Sequence, residues 1–174
     1  MRRRHVLAAA ASALATGCGY ALQGRGITTD ATVKRIGVPL FRDRTGKLGL
    51  DSHVTQAVMA ELMKRGRFTV VRDAANVDAV VEGEITAFTV VPVNFSTDTG
   101  QTQATRYAIA LTAAVVYRKI GQAEPLWSHD GFSQRDEYDM GVQSETYFDR
   151  EEQSIERLAT AFARSLVAAM LEAF

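Results

Sequence analysis

The spacing of apolar residues along the first half of the chain predicts a strand, a helix and a second strand. Residues 33–41, VKRIGVPLF, predict a strand, and Pro39 confines that strand to a sheet edge or ends it because proline has no backbone N–H. Residues 50–65 place Leu, Val and Ala on one helical face and predict an amphipathic helix that ends before Gly66. Residues 67–72, RFTVVR, predict a short β-branched strand.

The middle of the chain predicts long strands joined by hairpins. Residues 79–91 predict a strand in which Gly83 marks a bulge. Residues 92–105, PVNFSTDTGQTQAT, predict a long polar hairpin loop. Residues 106–118 predict the clearest strand, with large apolar side chains on one face and Ala and Thr on the other. That small-residue face suits either the close approach of a helix or a flat exposed surface.

The end of the chain predicts one more strand and a second helix. Residues 126–134 predict a strand, residues 135–148 an irregular segment, and Asp149 the start of a helix with an apolar stripe. The strand–helix–strand beginning favours one parallel pairing, whereas the later hairpin is antiparallel. We therefore predict an α+β fold: a mixed, mostly antiparallel four- to five-stranded sheet with two helices packed on one face.

Residues 1–17 predict a secretory signal peptide. Three arginines precede an apolar run that is too short to span a bilayer, and small residues follow it. The alternative is the N-terminal helix of a cytosolic protein, but this run has no amphipathic face to pack. The predicted organisation is a signal peptide at 1–17, a lipidated tether at 18–32 and a single α/β domain at 33–174.

Cys18 is the one cysteine of the chain and follows small residues directly. This arrangement resembles the lipobox of bacterial lipoproteins, in which the cysteine thiol is diacylated, the peptide is cut before it and the new amine is acylated. That box has Leu three residues before the cysteine, where this chain has Ala15, with Leu14 one position earlier. Gly19 in place of Asp implies sorting to the outer membrane. The alternative is a soluble periplasmic protein with a free thiol.

Charge and motifs argue against several classes of function. The chain has 20 basic and 20 acidic residues, and loss of the three signal-peptide arginines leaves a net charge of −3, which is unfavourable for binding nucleic acid. No G-x-S-x-G, P-loop or G-x-G-x-x-G motif is present, and His53 and His129 have no metal ligand at suitable spacing. Glu82 and Glu84 share a strand face, for which solvation is favoured over acid–base chemistry. We predict neither an enzyme, nor a metal site, nor a cofactor other than covalent lipid.

Two segments are candidates for binding. Arg42, Arg44 and Lys47 place three cations in one glycine-containing loop, which is either solvated or contacts an anion such as a phosphorylated sugar. The segment 94–106 combines Asn94 and Phe95 with hydroxyl and amide groups and Arg106. Such a long loop is either functional or simply disordered.

Aromatic residues near the second helix are further candidates. Tyr138, Tyr147 and Phe148 either cap the core or anchor a partner, and the core is the favoured interpretation.

Several segments together resemble the lipopolysaccharide-assembly lipoprotein family, LptE. They are GCGYALQG, IGVPLFRDRTGKLGLDSHVTQAVMAELMKRGRFTVV, VDAVVEGEITAF, YAIALTAAVVY and RLATAFARSLVAAML. The resemblance implies a lipid-anchored domain on the periplasmic face of the outer membrane. It implies that this domain plugs the large β-barrel LptD, assists its assembly and helps deliver lipopolysaccharide to the outer leaflet.

The resemblance also implies roles for the binding candidates. It implies that lipopolysaccharide is bound by the cations Arg42, Arg44, Lys47 and Arg106. It also implies that the barrel partner is contacted by Asn94, Phe95, Tyr138 and Tyr147. The segments IGVPLF and TGKLGLDSHVTQAVMAELMKRGRFTVV, residues 36–41 and 45–71, also resemble lipoproteins that activate peptidoglycan synthases or form curli-type secretion pores. GCGYALQG and the terminal helix match those lipoproteins less well.

Overall fold

The computed structural model describes residues 32–98, 101–139 and 147–172, apart from the side chains of residues 96, 98, 101–103 and 147–149. The predicted signal peptide, Cys18 and nearly all of the tether lie outside the described residues. The elements, in chain order, are β1 (Arg35–Gly37), β2 (Arg42–Asp43), α1 (Leu50–Lys64), β3 (Thr69–Val71), β4 (Ala79–Asp98), β5 (Gln101–Lys119), β6 (Trp127–Asp139) and α2 (Tyr147–Glu172).

One six-stranded sheet organises the domain, with strand order β3-β1-β4-β5-β6 and β2 beside β4. β1 is parallel to both β3 and β4, and β2 is parallel to β4. β4, β5 and β6 form a long antiparallel meander. The predicted α+β fold and the parallel strand–helix–strand unit are confirmed, with six strands in place of four or five.

The predicted strand at 33–41 is two short strands. β1 ends at Gly37 and β2 begins at Arg42, and Pro39 lies between them. β1 is flanked by β3 and β4, so Pro39 ends the strand and does not mark an edge. The strand breaks there because proline has no backbone N–H and cannot donate a hydrogen bond to a neighbouring strand.

The predicted loop at 92–105 is wrong, because β4 and β5 continue as a paired hairpin to Asp98 and from Gln101. Pairs such as Thr97 with Thr102 build this extension from polar and β-branched residues. The predicted irregular segment at 135–148 is also wrong at its start, since β6 continues to Asp139. α2 begins at Tyr147, two residues before the predicted start. The hairpin extension has no buried face, so it lacks the alternation of apolar and polar residues that reveals strands in a sequence.

Both helices pack on one face of the sheet and on each other. β5 directs Ile109, Leu111, Val115 and Tyr117 into this core, as its alternation predicts. The small residues of β5 lie on the opposite face, which no described element covers. We call this surface, formed by β4, β5 and β6, the open face. The structure thus selects the flat exposed surface over the close approach of a helix.

Gly83 allows close packing and does not mark a bulge. The register of β4 against β5 shifts between Ile85 and Ala87, so the bulge lies at Thr86. A Cβ atom on Gly83 would overlap the ring of Phe41, which is buried beneath it. The glycine is therefore explained by the approach of an aromatic ring to the strand backbone.

Asp78 joins β1 to the turn before β4. Its Oδ2 accepts hydrogen bonds from the backbone N–H groups of Lys34 and Arg35, both at 2.8 Å. These bonds, together with the charges of Lys34 and Lys119, hold the pKa of Asp78 below its ordinary value of 3.8. A lowered pKa in the folded state means that Asp78 stabilises the fold above the ordinary pKa and loses this effect as the pH falls through the lowered value.

Replacing Asp78 with asparagine is therefore expected to reduce stability at pH 7, with a difference from wild type that shrinks below about pH 4. Urea denaturation at pH 7, 5 and 3 measures this difference. Glu124→Gln, in the connection between β5 and β6, is the control and should show no such pH-dependent difference. A difference that stays constant down to pH 3 would contradict the assignment.

Candidate functional site

The open face carries charges that neutralise one another. Four arginines each lie against a different carboxylate: Arg118–Glu82 at 3.0 Å, Arg44–Glu84 at 3.2 Å, Arg135–Glu137 at 3.0 Å and Arg106–Asp139 at 2.7 Å. Between these pairs, the small side chains of β5 form a flat strip, and Thr112 donates to Ser133 at 3.2 Å. The result is a polar surface without a covering element, on which these four pairs of charges neutralise one another.

Glu82 and Glu84 are consequently ion-paired surface residues. Each carboxylate binds its own guanidinium, which agrees with the solvated strand face favoured over acid–base chemistry. His129 packs against Trp127 and Phe132. Among the described residues, no group of three or more His, Cys, Asp or Glu side chains is placed to hold a metal ion.

The far end of the β4–β5 hairpin brings three candidate residues together. Asn94 is the register partner of Arg106, and Phe95 is the partner of Ala104. Phe95 is 56% exposed, and Val91, four residues earlier in β4, is 48% exposed. We call Val91, Asn94, Phe95 and Arg106 the distal patch. It places exposed apolar surface next to one cation.

Arg106 is held in place by an acidic neighbour. Its Nε donates to Asp139 Oδ1 at 2.7 Å, and this hydrogen bond raises the pKa of Arg106 and lowers that of Asp139. The bond uses Nε, so the Nη donors of the guanidinium remain available. An anion at the distal patch could therefore bind Arg106 without displacing Asp139.

The predicted cationic loop is not one anion site. Arg44 is paired with Glu84, and Lys47 Nζ lies 2.6 Å from Oε1 of the nearly buried Glu151 of α2. Arg42 has no ion pair among the described residues, but it shares a shallow cavity of about 300 Å³ with Glu82 and Glu84. Lys47 thus joins the loop to α2 and is not available to bind an anion.

Arg106 lies far from this loop. Arg42 is the register partner of Glu84, which pairs with Ala114, eight residues along β5 from Arg106. At about 3.4 Å per residue this separation is about 27 Å. The four cations grouped by the resemblance therefore occupy at least two separate surfaces.

Of the two tyrosine candidates, the structure describes the side chain of Tyr138. Tyr138 is 5% exposed and its ring stacks on Tyr107 with centroids 5.8 Å apart, so it belongs to the core, as the favoured interpretation predicts, and does not form an exposed anchor for a partner. The alternation of β6 directs it inward, and the charged residues on both sides of Tyr138 obscure this alternation in the sequence. Tyr147 is the first residue of α2, and its side chain lies outside the described residues, as does that of Phe148.

Comparison with known families identifies the group to which the chain is related. The model of the family described as LptE, lipopolysaccharide-assembly, matches residues 33–170. This match covers most of the chain. The chain belongs to the LptE family. The resemblance stated from the sequence is thereby confirmed, and the family is one of non-enzymatic lipoproteins of lipopolysaccharide assembly.

Solved structures show the same fold at low sequence identity. This LptE-family chain superposes on lipoprotein B of Nitrosomonas europaea with a TM-score of 0.53, at 13% identity, covering 88% of this chain and 90% of that one. A hypothetical protein of Chlamydia trachomatis superposes with a TM-score of 0.50 at 11% identity, covering 82% and 99%. No curated protein matches the sequence significantly. None of the described helices of this LptE-family chain is both long and apolar enough to cross a membrane.

Proposed function

We propose that this protein is an outer-membrane lipoprotein that plugs an LptD-type β-barrel, assists its assembly and helps deliver lipopolysaccharide to the outer leaflet. It faces the periplasm and is anchored by N-acyl and S-diacylglycerol groups on Cys18. The observation that carries this proposal is the LptE-family match over residues 33–170, which spans the folded domain. The signal peptide and lipobox-like sequence before it support the anchor.

The open face suits contact with the lumen of such a barrel. The interior of a large outer-membrane barrel is polar and holds water, so a plug needs a hydrogen-bonding surface that fits a wall. The ion pairs of the open face satisfy their charges internally. The facing wall would therefore not need to supply a matching pattern of charges, and hydroxyl and small side chains could approach it closely.

The distal patch suits an amphiphilic anion such as lipopolysaccharide. Phe95 and Val91 offer apolar surface to acyl chains, and the Nη donors of Arg106 offer hydrogen bonds to phosphate. The structure supports Arg106 more strongly than Arg44 or Lys47 for this role, because the latter two pair with Glu84 and Glu151. Neutralising Lys47 would also remove the partner of a nearly buried carboxylate.

Purification of the tagged, lipidated protein from outer membranes tests both parts of the proposal. Wild type is expected to bring down a large β-barrel protein and lipopolysaccharide. The double variant Phe95→Ala, Arg106→Gln should retain the barrel but recover about tenfold less lipopolysaccharide, as the loss of two contacts of about 0.7 kcal/mol each implies. The control combines Ile120→Ala with Arg164→Gln; both residues are exposed and lie outside the distal patch, so this variant should behave as wild type.

Two results would contradict the proposal. A penicillin-binding protein recovered in place of a barrel would support the peptidoglycan-synthase alternative. Unchanged lipopolysaccharide recovery in the double variant would exclude the distal patch as its binding surface.

A further inference from the structure

Five cations lie on neighbouring backbone segments at the start of the folded domain. Arg35 is the first residue of β1 and Lys34 precedes it, and Lys64, Arg65 and Arg67 lie at the end of α1 and before β3. Pairing brings the two groups together, since Arg35 is the register partner of Thr69 and the Thr69 N–H donates to the Lys34 carbonyl at 2.8 Å. We call these five residues the basic corner. In the sequence they appear as two separate Lys-Arg pairs and Arg67, and only the parallel pairing of β1 with β3 joins them.

The basic corner keeps a positive charge. Glu61 lies 3.4 Å from Lys64 and 3.6 Å from Arg65, and it therefore offsets part of their charge. The Asp78 carboxylate binds the backbone N–H groups of Lys34 and Arg35 and lies near the corner as well. Within the described part of the chain, however, neither the side chains of Lys34 and Arg35 nor that of Arg67 form an ion pair. This contrasts with the open face, where four arginines each have a carboxylate partner.

The corner is also the point where the tether reaches the domain. Thr32 is the first described residue, and its Oγ1 accepts a hydrogen bond from Lys119 Nζ at 2.8 Å, which adds a sixth cation beside the corner. Cys18 lies fourteen residues earlier in the sequence. Fully extended, that length of chain spans at most about 50 Å, which is long enough to let the domain present any side to a membrane. The tether alone therefore does not orient the domain.

We propose that the basic corner is an electrostatic docking surface for anionic phospholipid headgroups of the membrane that holds the lipid anchor. This inference rests on the anchor in the proposed function. A lipid anchor combined with basic residues is a common two-part membrane attachment, in which the cations act only within a short distance of the headgroups. Here the anchor holds the domain near the membrane and the corner selects its orientation.

The orientation has a consequence for the opposite end of the domain. β5 runs from Lys119, beside the corner, to Arg106 in the distal patch, a distance of about 44 Å at 3.4 Å per residue. With the corner on the headgroups, the distal patch lies away from the anchored surface. A domain inside a barrel would then reach towards the opposite side of the membrane with Phe95 and Arg106.

Fluorescence quenching on vesicles tests this orientation with the full lipidated protein. Because lipidation consumes the Cys18 thiol, a Thr69→Cys substitution beside Arg35 provides a unique labelling site on β3. Headgroup-located quenchers are expected to quench this label more strongly in vesicles containing phosphatidylglycerol than in pure phosphatidylcholine. The difference should vanish at about 1 M salt, where the Debye length is about 3 Å. A label at Thr160→Cys, on the exposed side of α2, should show little quenching in either vesicle.

Charge reversal supplies the matched comparison. Arg35→Glu with Arg67→Glu should reduce the preference for anionic vesicles by about 25-fold or more, since each cation near an anionic surface contributes about fivefold. Arg150→Glu with Arg164→Glu makes the same change in net charge on α2 and should leave the quenching of the Thr69→Cys label unchanged.

Flotation of the vesicles separates this inference from the anchor. In one outcome, the protein floats with both lipid compositions while the quenching of its label is independent of lipid charge and salt concentration. That result would overturn the docking surface and leave the anchor intact. Equal loss of quenching in both double variants would also overturn it, because the effect would then follow net charge. Protein that fails to float with either composition would overturn the anchor, and the docking surface with it.

Discussion

Replacing Phe162 with alanine is expected to lower the free energy of unfolding by about 3–5 kcal/mol. Phe162 of α2 is fully buried, and its ring meets Phe132 of β6 edge to face, with centroids 5.4 Å apart. This contact lies where α2 packs on the sheet, and truncation would leave a cavity between the two layers that neither can close. Denaturation by urea measures the change.

Phe95→Ala is the matched control for Phe162→Ala. It removes the same ring from a side chain that is 56% exposed, and we expect a change within about 0.5 kcal/mol. The two variants therefore separate a phenylalanine that stabilises the fold from one available for binding. Similar losses of stability in both would contradict this division, and would also show that the distal hairpin belongs to the cooperative core.

Replacing Gly83 with alanine is expected to cost about 2–3 kcal/mol of stability. The added methyl group would overlap the ring of Phe41, which is 1% exposed and has little freedom to move. The Phe41 N–H donates to Thr55 Oγ1 of α1 at 3.0 Å, so displacing the ring would also strain the connection between β2 and α1. The same denaturation experiment measures this loss.

Gly131→Ala provides the control for Gly83→Ala. Gly131 lies in β6, and a Cβ atom built there meets no atom within 4 Å. Alanine at this position should leave stability unchanged or slightly raise it, since glycine is unfavourable inside a strand. If Gly83→Ala proved as harmless as Gly131→Ala, Phe41 would not pack against β4 as described.

The proposed surfaces divide along the length of the domain. The basic corner lies at the end where β1 starts and β5 finishes, and the distal patch lies at the other end of β5. The open face runs between them. A membrane contact at the basic corner and a lipopolysaccharide contact at the distal patch can therefore be tested by separate variants, because residues about 44 Å apart share no contacts and should act additively.

The α+β class could be predicted from the sequence because the core imposes the helical and strand periods on the side chains that enter it. The parallel unit of β1, α1 and β3 and the buried face of β5 both followed from this periodicity. The hairpin beyond Pro92 could not be predicted because its side chains are exposed, and the end of β6 could not be predicted because charged residues surround its one buried side chain, Tyr138. Their pairing depends on cross-strand hydrogen bonds, which side-chain polarity does not reveal.

By itself, the sequence determined the elements with a buried face, the motif around Cys18 and the resemblance to the LptE family. Only the tertiary structure decided which cations are neutralised and which surfaces they form. Lys47 pairs with Glu151 across 104 residues, and Arg106 pairs with Asp139 across 33. The physical reason is that charge pairing depends on distance in space, which strand register and helix packing establish between residues far apart in the chain.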